Sequence, residues 1–354
     1  MKILKLVILI TAVQYHCDAY SQSICVVVAP FLPMFASKGM SDELLKGPRL
    51  ALMDNDIKLE GSIFLSSANE LDLIKTVNSA YESGCRIMVG FYTSRECLLA
   101  AEVLKNRNDT ILVSPTCGHE DLMKYRGRIY TGVPSLKNYI IEESKFLKSK
   151  KYEQIYIVHS PTDVYSQNAL NLLRENLKSE KIQLISTDRV GEVRSEFSIT
   201  SHSAVVFTTY PKNSLPILEM ISSKSVGKGV DLIASPSWIY DMGVIATKKK
   251  ELGNFKSAYV IRMSRNKRKK VPKSLSSVPQ SVQSIVYSSY SMASFAATCH
   301  NKTKRKFSNE NFRRCMVNTS FEGIYGNIKF NGDSPYAESS LIVDKLAEVA
   351  QNGT

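Results

Sequence analysis

From residue 24 onward, short apolar runs rich in β-branched residues alternate with stretches whose apolar positions recur every three or four residues. Ile24-Cys25-Val26-Val27-Val28-Ala29, Ser62-Ile63-Phe64-Leu65, Arg86-Ile87-Met88-Val89 and Thr110-Ile111-Leu112-Val113 read as buried strands. Helices are predicted near 41–55, 69–83 and 94–106, the second carrying Leu71, Ile74, Val77 and Ala80 at helical spacing. Near-continuous apolar strands joined by helical crossovers belong in a parallel sheet covered on both faces. The alternation then restarts, with strands predicted at 154–158, 182–185, 204–207 and 231–234 and helices near 163–178 and 212–223. A strand at 259–261, a long helical stretch over about 281–299 and strand-like segments at 326–330 and 339–343 follow.

Two successive βα arrays of similar size predict an α/β protein of two doubly wound, Rossmann-like lobes, and a chain of 354 residues exceeds what one core usually holds. The cleft between the lobes is the default ligand site. The late elements must return to both lobes, so the chain crosses between them several times. The expected division is 22–134 plus about 263–320 for the N-terminal lobe, and 135–262 plus about 321–354 for the C-terminal lobe.

The first 21 residues change the compartment. Lys2 and Lys5 precede an apolar run, 6–13, too short to span a bilayer, which is the pattern of a cleaved signal peptide; Ala19 and Ser21 are suitable cleavage points, and Tyr15 and His16 disfavour a lipoprotein anchor at Cys17. The mature protein is therefore expected to be periplasmic or secreted and monomeric. A net charge of +13 raises the question of anionic partners. The lysines gather late, at 248–250, 262–273 and 302–306, as a solvated basic face or a docking surface for an anionic envelope component. Export and the lack of aromatic-interleaved basic motifs argue against nucleic acid. Six cysteines follow the signal, none at metal-binding spacing. Cys299 and Cys315 bracket a polar, basic stretch read as a loop and are the best disulfide candidates, whereas Cys25 and Cys85 read as small buried hydrophobes. Whether Cys97 and Cys117 pair stays open.

Several segments together resemble the type I periplasmic solute-binding proteins, in particular the leucine/isoleucine/valine-binding subunits of ABC transporters: 47–52 (GPRLAL), 89–94 (VGFYTS), 114–116 (SPT), 131–135 (TGVPS), 163–166 (DVYS) and 323–330 (GIYGNIKF). The resemblance spreads over nearly the whole mature chain, although no one motif is diagnostic. It implies two lobes with three crossovers and a hinge, a small-molecule ligand and a membrane permease or sensor as partner.

Thr93 and Ser94 open a helix after a strand; Thr93 with Glu96 fits a capping box, and the free backbone N–H groups of a helix start can hold a carboxylate. Thr116 and Cys117 end the next strand, at the edge where the resemblance places contacts to an α-amino acid, although Cys117 stands where a small residue is usual and His119-Glu120 follows as a solvent-facing pair. The resemblance also implies that Tyr165 and Tyr210 cover the ligand. Trp238 is a candidate wall of the cleft, with Phe31, Met34 and Tyr92 at its rim. Amino-acid binders place an acid near Trp238, but 235–238 (SPSW) has none and Asp241 is the nearest substitute, so a ligand without an ammonium group stands beside leucine. GxxxxGK[ST], HExxH and GxSxG are missing, so no enzyme and no cofactor is expected. The competing functions are a transporter-linked solute receptor and an adaptor or sensor that docks through its basic surface.

Overall fold

A computed structural model describes residues 24–29, 40–67, 69–188, 198–240, 245, 247–264, 270–280, 282–304 and 308–347. The expected signal segment, Phe31, Met34 and Asp241 lie outside the described residues.

Strand β1 (Ile24–Val28) is buried along its whole length. It lies between β2 (Ile63–Leu65) and β3 (Ile87–Gly90), and β4 (Ile111–Ser114) and β5 (Ile129–Thr131) complete an all-parallel sheet in the order β2-β1-β3-β4-β5. Helices α1 (Met40–Met53), α2 (Glu70–Glu82) and α3 (Ser94–Val103) make the crossovers. The second lobe begins with α4 (Leu136–Lys150) and builds the parallel strands β6 (Gln154–His159), β7 (Ile182–Ser186), β8 (Ser203–Phe207), β9 (Asp231–Ala234) and β10 (Ser257–Met263), with α5 (Val164–Asn176), α6 (Pro211–Ser225) and the short α7 (Lys249–Gly253) between them. The chain then returns to the first lobe as α8 (Gln283–Thr303), α9 (Asn309–Asn318) and a hairpin of β11 (Phe321–Gly323) and β12 (Gly326–Ile328). It crosses a third time to add β13 (Leu341–Lys345) antiparallel to β10, giving the order β13-β10-β9-β8-β6-β7. Two doubly wound lobes are what the alternating pattern predicts, and three crossings are what the resemblance implies.

The short β5 and α7 were not expected, and three larger details differ from the expected elements. Helix α4 was not expected, because Glu143 interrupts the apolar stripe of Leu136, Tyr139, Ile140 and Leu147 that faces the core. The stretch between Cys299 and Cys315, expected as a loop, contains α9; only Phe312 and Met316 bury, one turn apart, and the Ser308 side chain caps the helix by accepting from the Asn311 N–H. The division also shifts. Ile324, Ile328, Phe330 and Ala337 belong to the core of the first lobe, and Phe321 stacks on Phe295 with ring centroids 5.2 Å apart, so only the β13 segment of 321–354 joins the second lobe. An apolar stripe this short carries no mark of which sheet it covers.

Three disulfides tie the first lobe together. Cys299–Cys315 joins α8 to α9, Cys97–Cys117 joins α3 to the loop after β4, and Cys25–Cys85 joins β1 to the turn before β3. Cys25 and Cys85 are buried as expected of small hydrophobes, but they are bonded rather than free. Helix α8 packs along α1 at close range: a Cβ added at Gly47 would lie 2.3 Å from the Val286 carbonyl oxygen. Gly47→Ala should therefore push the two helices apart and cost about 1–3 kcal/mol, read as a lowered denaturant midpoint at unchanged m-value.

Candidate functional site

The two sheets present the carboxyl ends of their strands to one another, and a cavity of about 50 Å³, room for a few water molecules, opens between them. From the first lobe it is lined by Tyr92, Thr93, Ser94, Thr116 and Gly118, from the first crossing by Val133 and Pro134, and from the second lobe by Leu136, Tyr139, Tyr165, Tyr210, Pro236 and Ser237; Ile285 of α8 closes one side.

The first-lobe wall is held from within. Gly90 turns the end of β3 at φ 147°, where an added Cβ would meet the Val27 carbonyl oxygen at 1.8 Å, and Phe91 follows in the left-handed region at φ 63°. This turn delivers Tyr92 and Thr93 to the cleft. The capping box is complete: the Glu96 N–H donates to Thr93 Oγ1 at 3.2 Å, while Glu96 Oε2 accepts from the Tyr92 and Thr93 N–H groups at 2.6 and 3.2 Å. The Thr93 hydroxyl thus serves the helix, and the fully buried Glu96 carboxylate sits against its positive end. What remains for a ligand is the Ser94 hydroxyl and the first-turn N–H groups that a capping box does not reach.

Thr116 Oγ1 donates to the Tyr92 carbonyl at 2.6 Å and keeps its lone pairs toward the cavity it lines. Cys117 is not a ligand contact: it is fully buried and bonded to Cys97, which ties the Thr116 loop to the helix that starts at Ser94. His119 and Glu120 are not a solvent-facing pair either. His119 Nδ1 accepts from the Asp121 N–H at 3.1 Å, its carbonyl accepts from the Tyr336 hydroxyl, and Glu120 Oε1 accepts from the Lys137 N–H at 2.7 Å. Burial lowers the His119 pKa and favours the neutral ring.

On the second lobe Asp163 caps α5, accepting from the Tyr165 and Ser166 N–H groups, and this sets Tyr165 at the cleft. Its hydroxyl pairs with Ser235 Oγ at 3.2 Å, and its ring lies 5.7 Å from that of Tyr210. Burial holds the Tyr165 hydroxyl protonated well above its ordinary pKa. Trp238 does not wall the cleft. It is fully buried, packs on Phe207 at 5.2 Å and donates its indole N–H to the Thr209 carbonyl at 2.9 Å, leaving Pro236 and Ser237 at the surface of the cavity. Of the residues expected at the site, Tyr92, Thr93, Ser94, Thr116, Tyr165 and Tyr210 meet around one cavity. Tyr139 was missed with its helix. Its spacing of three from Leu136, just past the crossing, was the available signal.

None of the described residues lining the cavity carries a charge. Among the described residues there is no cluster of histidines, cysteines and acids that could hold a metal ion, and no helix is long and apolar enough to cross a membrane.

Two α/β lobes, three crossings and a cavity at the facing carboxyl edges define a ligand-binding protein of the type I periplasmic binding fold. The chain belongs to the receptor family ligand binding region, whose model matches residues 41–342. Solved structures agree in fold. A leucine-binding protein from Thermotoga maritima aligns with a TM-score of 0.72 at 11% identity, covering 91% of this chain and 95% of that one. An ABC transporter substrate-binding protein from Desulfitobacterium hafniense in complex with leucine aligns at 0.64 and 15% identity, over 92% and 97%. A solute-binding protein from Rhodopseudomonas palustris in complex with 3,4-dihydroxybenzoic acid aligns at 0.69 and 11% identity, over 92% and 93%. No curated protein matches the chain.

One further acid stands behind the cleft. Glu143, one turn past Tyr139 on α4, is 2% exposed; its Oε1 has no hydrogen-bond partner, and burial pushes its pKa up to about 8. The folded state therefore keeps a proton that the unfolded chain releases at the ordinary value of 4.5. The associated stability is complete below that value and is lost as pH rises through about 8, at a slope of at most about 1.4 kcal/mol per pH unit. Glu143→Gln should flatten this slope, so thermal melts of variant and parent should diverge between pH 5 and 8 with the variant the more stable at pH 8.

Proposed function

We propose that this protein is an extracytoplasmic solute-binding protein that captures a small carboxylate-bearing ligand between its lobes and presents it to an ABC-type permease. The observation that carries this reading is the composition of the cavity: tyrosine rings from both lobes, hydroxyls at Ser94, Thr116 and Ser237, a helix start on one side, and no charged side chain among the described residues. A ring supplies apolar area with a polar tip, and a helix start suits an anion. Among the described residues an ammonium group would find no ionised partner there, since Glu96 is spent on its own helix and Glu143 is held protonated at neutral pH. Ligand contact with both lobes favours the closed form, which is the state a membrane partner would recognise. The structural neighbours that bind leucine and 3,4-dihydroxybenzoic acid frame the ligand range, and the second supports a carboxylate without an amine. Export fits the pattern of residues 1–21 and the three disulfides. The family itself favours a second reading, a sensor or adaptor whose partner is a receptor assembly rather than a permease.

Matched pairs of acids that differ only in the amino group test the ligand: 3-phenylpropanoate against phenylalanine, and 4-methylpentanoate against leucine. The deaminated acid of a pair should raise the melting temperature more than its amino acid, and Tyr165→Ala should weaken binding by roughly ten- to a hundredfold. An amino acid that binds as well as its partner acid, and loses binding in Glu143→Gln, refutes the proposed ligand class. A melt unmoved by any of the four favours the adaptor.

A further inference from the structure

The opposite end of the second lobe carries its own chemistry. Strands β6 to β10 are parallel, so all five begin at the edge farthest from the cleft, and β13, running antiparallel, ends there with Lys345 paired to Tyr259 near the start of β10. The turns that feed this edge place Lys150 and Lys151 before β6, Lys181 before β7, Lys228 before β9 and Lys256 before β10. These six lysines are exposed and none forms an ion pair among the described residues, although the Lys228 ammonium donates to the Ile199 carbonyl at 2.9 Å and that of Lys150 lies over the Phe146 and Tyr259 rings. The acids of the same edge are fewer: Glu153 and Glu180 lie at its surface, while the buried Asp231 accepts a hydrogen bond from the Tyr152 hydroxyl at 2.7 Å. The acids around α7 are already engaged, Glu219 and Glu251 both by Lys248.

The corresponding edge of the first lobe is also basic in sequence and engages three of its arginines internally, while Lys58 before β2 and Arg126 before β5 stay exposed. Arg86 pairs with Asp109 at 2.7 Å and lies over the Tyr81 ring, Arg107 lies over the same ring, and Arg128 donates to backbone carbonyls of Lys105 and Arg107. The two edges thus differ in degree, the second-lobe edge presenting the larger number of exposed cations without an ion pair among the described residues, in a chain that carries +13.

We propose that this lysine edge of the second lobe is a docking face for an anionic lipid bilayer. Six strands at ordinary spacing spread the lysines over roughly 25 Å, a width suited to a plane of headgroups rather than to one phosphate. Lysine ammonium groups on flexible stems are point charges that do not fix a single carboxylate or phosphate by a bidentate fork, as arginine does, so they suit a diffuse surface of lipid charge. The lysine edge and the cavity lie at opposite ends of the second-lobe strands, so docking by this edge keeps the bilayer clear of the cavity. The proposal does not depend on what the cleft binds.

The test is co-sedimentation of the full-length protein with vesicles of phosphatidylcholine alone or containing about 30 mol% phosphatidylglycerol. The parent should pellet with the anionic vesicles only and be released by about 0.5 M salt. Lys181→Glu, Lys228→Glu and Lys256→Glu combined should lower partitioning at least about a hundredfold, whereas Lys58→Glu, Lys75→Glu and Lys302→Glu on the first lobe should leave most of it. Circular dichroism melts confirm that both variants fold. Failure of the parent to pellet with anionic vesicles overturns the proposal. So does equal loss in the two triple variants, which would reflect net charge alone, or retention on heparin without vesicle binding, which would point to a polyanionic polymer.

Discussion

Parallel strand pairing gives each lobe a direction, and the rest of the molecule follows from it. Strands that all run one way put their carboxyl ends at one edge of the sheet and their starts at the other, so loops of unlike function segregate without further instruction. The turns after β3 and β4 bring Thr93, Ser94 and Thr116 to the cleft, and those after β6, β8 and β9 bring Tyr165, Tyr210 and Ser237 to face them. The turns before the strands of the second lobe lie at the edge farthest from the cavity, and they carry exposed lysines. One pairing rule thereby separates a cavity-lining edge with no charged side chain among the described residues from a distal edge rich in charge.

Within the cleft, much of the polar chemistry is already engaged. The Thr93 hydroxyl caps its helix, the Thr116 hydroxyl donates to the Tyr92 carbonyl and the Tyr165 hydroxyl pairs with Ser235. Such bonds fix the geometry before a ligand arrives and reduce the ordering cost of binding. The Cys97–Cys117 bond extends the same fixation to the loop that carries Thr116. Two buried acids nearby meet opposite fates. Glu96 accepts two backbone N–H bonds at a helix start and is satisfied there, whereas Glu143 has an oxygen without a partner and retains its proton.

The fold was legible because buried parallel strands leave continuous apolar runs, and nine of the ten strands between Ile24 and Met263 stand out, the three-residue β5 (Ile129–Thr131) being missed. Its helices were legible where the apolar stripe is unbroken, and α4 was lost because Glu143 occupies a core-facing position. At the site, residues placed directly after a strand were identified, since the carboxyl edge is where such sheets bind. Trp238 and Cys117 were misjudged because sequence position near a strand end does not tell which face of the turn a side chain takes: one turned into the core and the other into a disulfide. Tyr139 and Ile285 reach the cavity from helices of the crossings, and only the three-dimensional path of the chain brings them there.

The central claim is that the lobes close on a ligand held by tyrosines from both of them. Small-angle scattering of the protein with and without saturating 3-phenylpropanoate or 4-methylpentanoate, whichever binds, tests it directly. Closure predicts a smaller radius of gyration with ligand in the parent protein and no contraction in Tyr165→Ala under the same conditions. An unchanged radius at saturation in the parent would contradict the account, because the cavity would then bind its ligand without drawing the lobes together.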